Sequence, residues 1–268
     1  MERDLVDIGA NLGHESFAHD LEAVLARARE AGVAQLMITG ASGQGSLDAL
    51  AVVERGGEGL WATAGIHPHH AADYDADTEE LLARLHQDPR VLAVGETGLD
   101  YYRDLSPRPA QCFAFERHIE LATRCGKPMF LHQRDAHADF MAVLKPLRDS
   151  LGKVVVHCFT GTREELHDYL DLDLHIGLTG WICDERRGAH MHDFLREIPA
   201  NRLMIESDAP YLMPRTLQPK PKHRRNEPAF LPEVLKTLAQ VRGESEAALA
   251  ASTTAVARAF FGLPELAG

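Results

Sequence analysis

The 268-residue sequence predicts an α/β protein, a (β/α)₈ barrel of the TIM type. Three observations carry that prediction. Short apolar runs recur along the chain, segments of helical period separate them, and ionisable residues fall where the runs end.

The elements follow in order. The first run is Leu5–Ala10, and Phe17–Ala31 after it spaces Leu21, Val24, Leu25 and Ala28 by three and four residues, as on one helix face. The second run, Ala34–Thr39, is followed by the glycine-rich Gly40–Gly45. That stretch lacks the full GxGxxG spacing and an acidic residue about 20 positions on, so a turn is expected rather than a dinucleotide site. The runs Leu60–Gly65 and Val91–Glu96 precede the helical patterns Thr78–His86 and Gln111–Arg124. Met129–His132 and Lys153–His157 precede Ala138–Leu147 and Arg163–Leu170. Leu174–Thr179 and Arg202–Glu206 are the seventh and eighth runs, and Phe230–Gln240 and Glu244–Phe261 read as closing helices. Gly32, Gly126 and Gly152 sit just past helical patterns, where a positive φ is useful. Several runs are continuous rather than alternating, as in parallel strands covered by helices. Eight of them fit a βα repeat run to closure, in one unit over residues 1–268. An open doubly wound sheet is the alternative that counting leaves standing.

Composition narrows the setting. The four cysteines form no CxxC pair, the start MERDLVDIGANLGHE has acids where a leader needs an apolar stretch, and no apolar run nears the ~18 residues of a membrane span. A cytoplasmic protein without a membrane partner is expected. The formal charge of −12, from 28 Lys+Arg against 40 Asp+Glu, excludes bulk attraction to polyanions. Nucleic acid would have to be held by local positive charge.

Glu96 ends the fourth run, His132 the fifth and His157 the sixth, and Asp208 lies just past the eighth. In a barrel the C-terminal ends of strands converge on one mouth. Two imidazoles and a carboxylate suit a divalent metal with an open position, and Asp208 is placed to orient or deprotonate a water. His67, two residues after Gly65, is expected to face the mouth and contact substrate, whereas His69 and His70 read equally well as spare loop histidines. Asp100 and the tyrosines after it could line a groove, and Arg134 and Arg187 are placed to meet phosphate. Trp181 is either a stacking platform or a loop anchor. From Ala209 to Pro228 there are five prolines and the cations Arg215, Lys220, Lys222, Arg224 and Arg225, with no acid before Glu227. In an acidic chain, such a loop past the eighth strand is expected to form a phosphate-binding lip over the mouth. Cys158 beside His157 makes a weak thiol nucleophile, since adjacent strand residues point to opposite sides. GxSxG and Walker A motifs are absent.

The segments VDIGANL, TAGIHPHH, AVGETGLDYYRD, PMFLHQRDAH, VVVHCFTGTREE, GLTGWICDERRG and IESDAPYLMPR, followed by RRNEP, cover nearly the whole chain. Together they resemble the TatD family of metal-dependent deoxyribonucleases, within the amidohydrolase-like barrels. The resemblance implies a phosphodiesterase with Glu96, His132 and His157 as metal ligands and Asp208 as further ligand or acid/base. Most of the family carries His-x-His on the first strand, and the matching positions here are Gly9 and Asn11. Members similar in lacking these histidines imply a magnesium-dependent 3′-5′ exonuclease on single-stranded DNA and RNA, with Mn²⁺ or Zn²⁺ as other ions for such a site. Two rivals remain: a barrel hydrolase of a small metabolite (amidase, lactonase or deaminase), and a non-catalytic binding protein that keeps the barrel.

Overall fold

In the computed structural model, described here for residues 4–265, eight parallel strands pair in sequence order as one sheet. They are β1 (Leu5–Ala10), β2 (Val33–Ile38), β3 (Leu60–Ala64), β4 (Val91–Asp100), β5 (Met129–Arg134), β6 (Val154–Val156), β7 (His175–Leu178) and β8 (Leu203–Ile205). Past the end of β8 the sheet curls back onto β1, where Asp208 N donates to Gly9 O at 2.8 Å and Asn11 N to Ala209 O at 2.7 Å. The open doubly wound alternative is thereby displaced by a near-closed barrel.

Helices α1 (Leu21–Glu30), α2 (Gly43–Gly56), α3 (Ala76–Leu85), α4 (Arg108–Cys125), α5 (His137–Leu144) and α6 (Arg163–Asp171) return the chain between successive strands. Between β7 and β8 short 3₁₀ turns replace the helix, and α7 (Leu231–Arg242) and α8 (Glu246–Phe261) follow β8. Helix α2 corrects the turn expected at Gly40–Gly45. Ser42 caps it by accepting Gly45 N–H at 2.9 Å, and Ala49, Val52 and Val53 bury its inner face. Three glycines in its approach and first turn hide the helical pattern there. Gly32 and Gly126 take the expected positive φ, 82° and 67°, whereas Gly152 has none. It follows a 3₁₀ turn, Lys145–Ser150, in which Pro146 stands where helix α5 would otherwise have continued.

The core divides in two. An inner cluster of Val6, Ile8, Met37, Ala93, Phe130, Val155 and Met204 fills the barrel, while Leu36, Met129, Leu131, Val154, Val156 and Leu203 face the helices. Strand side chains alternate, so two residues along from an inner residue is again inner. The inner cluster is completed by Ala257, Phe260 and Phe261 of α8 and by Leu263 beyond it, which close one end of the barrel. The other end is the mouth. Among the described residues no helix is long and apolar enough to cross a membrane.

Candidate metal centre at the barrel mouth

Alternation carries three ionisable side chains to the mouth. Phe130, Val155 and Met204 lie in the barrel interior, so His132, His157 and Glu206, each two residues further on, rise one layer above them. The imidazole of His157 rests on the ring of Phe130, with centroids 4.5 Å apart. Glu96 breaks the pattern, lying three residues beyond inner Ala93. A register shift between Val94 and Thr97, with Gly95 at φ 139°, turns it inward. Gly95 has no room for a β-carbon, which would run into the carbonyl of Phe130. Neither β4 nor β5 stops where the sequence suggested. Their pairing continues to Asp100↔Arg134, so Glu96 and His132 lie within strands rather than at their ends, and Asp100 also reaches the mouth.

Three imidazoles surround one carboxylate oxygen. Glu96 Oε1 lies 2.7 Å from His157 Nε2, 3.1 Å from His132 Nδ1 and 3.3 Å from His67 Nε2. Asp100 Oδ2 lies 2.9 Å from His69 Nε2 and 3.3 Å from His132 Nε2. Two groups bring their donor atoms close enough to hold a divalent ion: Glu96, His132 and His157, and His67, Asp100 and His132. The first fits better on proton bookkeeping. His67 Nδ1 accepts the N–H of His69 at 3.1 Å, which leaves the proton of a neutral His67 on Nε2, the atom facing Glu96. A protonated nitrogen is a donor to an oxyanion, not a metal ligand. His157, by contrast, turns Nδ1 to Glu206 Oε2 at 3.3 Å and Nε2 to the centre, the carboxylate–histidine–metal arrangement.

The charges follow from this packing. Burial alone would raise Glu96, but His157, His67 and His132 outweigh it and hold Glu96 well below the usual carboxylate range. Burial would lower His157 and His132, yet Glu96 and Glu206 raise the first well above its ordinary value, and Asp100 and Glu96 raise the second. His67 is driven far down by burial. Asp208 is pushed up to about 8, again by burial, against the pull of His157. Its backbone has φ 53°, a left-handed conformation that aspartate tolerates, and Asn11 Nδ2 donates to its Oδ1 at 3.1 Å. A neighbouring cation would favour its ionised form.

The mouth is a cavity of about 460 Å³ whose lining includes Glu96, His132, His157, Asp208, His67, Arg134 and Arg187. Arg215 and Arg225 are not in that lining. Arg215 pairs with Glu185 at 2.9 Å. Arg225 binds both oxygens of Asp20, at 2.8 and 2.7 Å, and lies over Phe17, outside the barrel rim. Two cations of the expected lip thus pair with neighbouring acids, while Lys220, Lys222 and Arg224 are exposed. Asn226 pins the loop instead, donating to Ser207 O and Tyr211 O. Glu206 escaped sequence reasoning altogether. It is fully buried, accepts Cys158 N–H at 2.5 Å, and occupies the space that a β-carbon at Gly9 would need. Its place two residues after inner Met204 was the available signal.

The family model for TatD related DNase matches residues 6–262. The chain belongs to this family. Relatives named 3′-5′ ssDNA/RNA exonuclease TatD include those of Erwinia billingiae, 47% identical over 97% of this chain and 100% of the relative, and of Enterobacter lignolyticus, 49% identical over 97% and 99%. Among solved structures, the TatD homologue YJJV of Escherichia coli K12 is 26% identical, with a TM-score of 0.89 over 98% of this chain and 100% of that one. As a family member the chain is a metal-dependent hydrolase of the TatD exonuclease type. The place beside Gly9 of its first strand is filled by Glu206.

Proposed function

We propose that this chain is a 3′-5′ exonuclease that hydrolyses phosphodiester bonds of single-stranded DNA and RNA with a divalent ion, Mg²⁺ in the cell. The observation that carries the reading is the convergence of His157, His132 and His67 on Glu96 Oε1 at the floor of the mouth. Glu96, His132 and His157 hold the ion, with Asp208 as a further ligand or base. Mg²⁺ accords with the carboxylates of Glu96, Asp100 and Asp208, while the imidazoles also accept Mn²⁺ or Zn²⁺. The ion, when bound, supplies positive charge to the scissile phosphate and makes a water a better nucleophile.

The chain's own residues supply the rest. Asp208, held by Asn11 from one side, takes a proton from the attacking water. His67, neutral because it is buried, turns its Nε2–H to Glu96 Oε1 and steadies that carboxylate, while its ring lines the mouth where substrate would sit. Arg134 and Arg187 reach non-bridging oxygens from the rim. The charge that separates a phosphodiester substrate from a neutral metabolite is therefore at Arg134 and Arg103, which line the mouth and form no ion pair among the described residues. The 215–225 loop contributes less than its composition suggests.

The test is digestion of end-labelled single-stranded DNA, blocked at one end or the other, with Mg²⁺, Mn²⁺, Zn²⁺ or EDTA. A metal-dependent loss of nucleotides from a free 3′ end is expected. The His132→Ala/His157→Ala variant should lose about three orders of magnitude, the several kcal/mol a metal provides. Intact DNA and RNA under every ion would overturn the reading.

A further inference from the structure

Four side chains on one side of the mouth form an alternating stack. Tyr102, in the turn after β4, is 60% exposed, and the guanidinium of Arg134 lies over its ring at 3.8 Å. Arg134 also faces the ring of Trp181 at 5.4 Å, and Arg187 covers Trp181 at 4.3 Å. Three connections meet here: β4 delivers Tyr102, β5 delivers Arg134, and the turn after β7 delivers Trp181 and Arg187.

The stack is poorly explained as structural glue. An exposed tyrosine gains little from burial, and Arg134 forms no ion pair among the described residues of a chain of net charge −12. Arg187, in contrast, is fixed by Asp184 at 2.8 Å, and Trp181 is anchored by its Nε1–H to Arg187 O at 3.2 Å. The tryptophan is thus held rigidly, while the exposed tyrosine ring is covered by Arg134. A guanidinium between two rings is oriented in advance, with its N–H edge free for phosphate oxygens. Aromatic faces beside such an edge suit unpaired bases, because every base has a π-face and only an unpaired strand can offer it.

Resting on the exonuclease reading above, we propose that Tyr102, Arg134 and Trp181 form a subsite for the nucleotides on the 5′ side of the scissile bond. The rings stack on unpaired bases and Arg134 grips the phosphates between them. This subsite sets the preference for single strands over duplex and makes very short oligonucleotides poor substrates.

The test pairs a protein change with a substrate change. Tyr102→Leu alters an exposed side chain, and Trp181→Leu, checked by thermal melting, alters the anchored one. Each is compared with the wild-type enzyme on a single-stranded 20-mer and on 20-mers with an abasic residue second, third or fourth from the 3′ end. Binding is read by fluorescence anisotropy with Mn²⁺ present, and turnover by release of labelled nucleotide. Removing a stacked base should weaken wild-type binding about tenfold, and the same removal should cost the matching variant little, since the ring it met is gone. An abasic penalty of equal size in wild type and both variants, or none in the wild type, overturns the proposal. Strands that bind with this pattern but are not cut would sink the exonuclease reading and leave the subsite standing.

Discussion

Replacing Glu206 by glutamine separates the orientation of His157 from the mere filling of space. The wild-type carboxylate is an acceptor on both oxygens: Oε1 takes Cys158 N–H at 2.5 Å and Oε2 faces His157 Nδ1 at 3.3 Å. That requires a proton on Nδ1 and leaves Nε2, 2.7 Å from Glu96 Oε1, as the atom that can bind an ion. In Glu206→Gln the amide oxygen can still serve Cys158, so the NH₂ group meets Nδ1. Two donors then face each other unless the imidazole moves its proton to Nε2, where a ligand needs a lone pair. Loss of such an outer partner typically costs about 10–100-fold in metal affinity, or roughly 1.4–2.7 kcal/mol. Calorimetric titration with Mn²⁺ and the Mn²⁺ dependence of hydrolysis should shift together by that factor. The melting temperature should move by only a few degrees, about 1 kcal/mol, because glutamine has the same shape. Glu206→Ala should instead lose about 1–3 kcal/mol of stability by stranding the Cys158 N–H. A glutamine variant that binds the ion as tightly as wild type would refute the orienting role.

Other outcomes follow from the same geometry. Gly9→His should not restore a first-strand ligand, since its β-carbon collides with Glu206 and would approach Phe130 Cζ to 3.0 Å; a loss of about 1–3 kcal/mol in denaturant melts is expected. Arg225→Ala should lower stability modestly and leave KM for DNA unchanged, whereas Arg134→Ala should raise KM; the reverse ranking in steady-state kinetics would reinstate the lip. Burial holds His118 and His86 at about 4, so both are neutral in the folded chain while the unfolded chain titrates near 6.5. Stability is complete above 6.5 and lost as pH falls towards 4, at about 1.4 kcal/mol per pH unit for each histidine. His118→Leu should flatten that slope by one proton in melts between pH 7 and 5, while costing about 1–3 kcal/mol at pH 7 because Ile66 N–H loses its acceptor Nε2 at 2.9 Å.

Much of the barrel was legible because period-two alternation and helical spacing are local. All eight runs became strands, and His132 and His157 reached the mouth because continuous apolar runs fix which residues point inward. Glu96 was legible by position but not by mechanism, since strict alternation from Ala93 would have turned it outward and only the shift after Val94 corrects it. Helix α2 was hidden by glycines whose helical placement depends on the Ser42 cap and on packing of Ala49 and Val52. The ion pairs of the basic loop were hidden for a different reason. Arg225 finds Asp20 across roughly two hundred residues, and no local pattern announces so distant an ion pair. Glu206 was overlooked as one acid just past a short strand, although its meaning depends on two glycines, Gly9 and Gly177, that vacate the space it fills.

The seal of Phe260 and Phe261 at the foot of the barrel bears on the order in which the protein is made. A chain released only as far as Asp208 already carries Glu96, His132, His157 and Asp208. It still leaves Val6, Ile8 and Phe130 open to water from below, because the helix that covers them has not been synthesised. The bore can be sealed only once α8 has emerged, because Ala257, Phe260 and Phe261 come from that helix. The residues of the mouth thus precede in synthesis the helix that seals the bore beneath them.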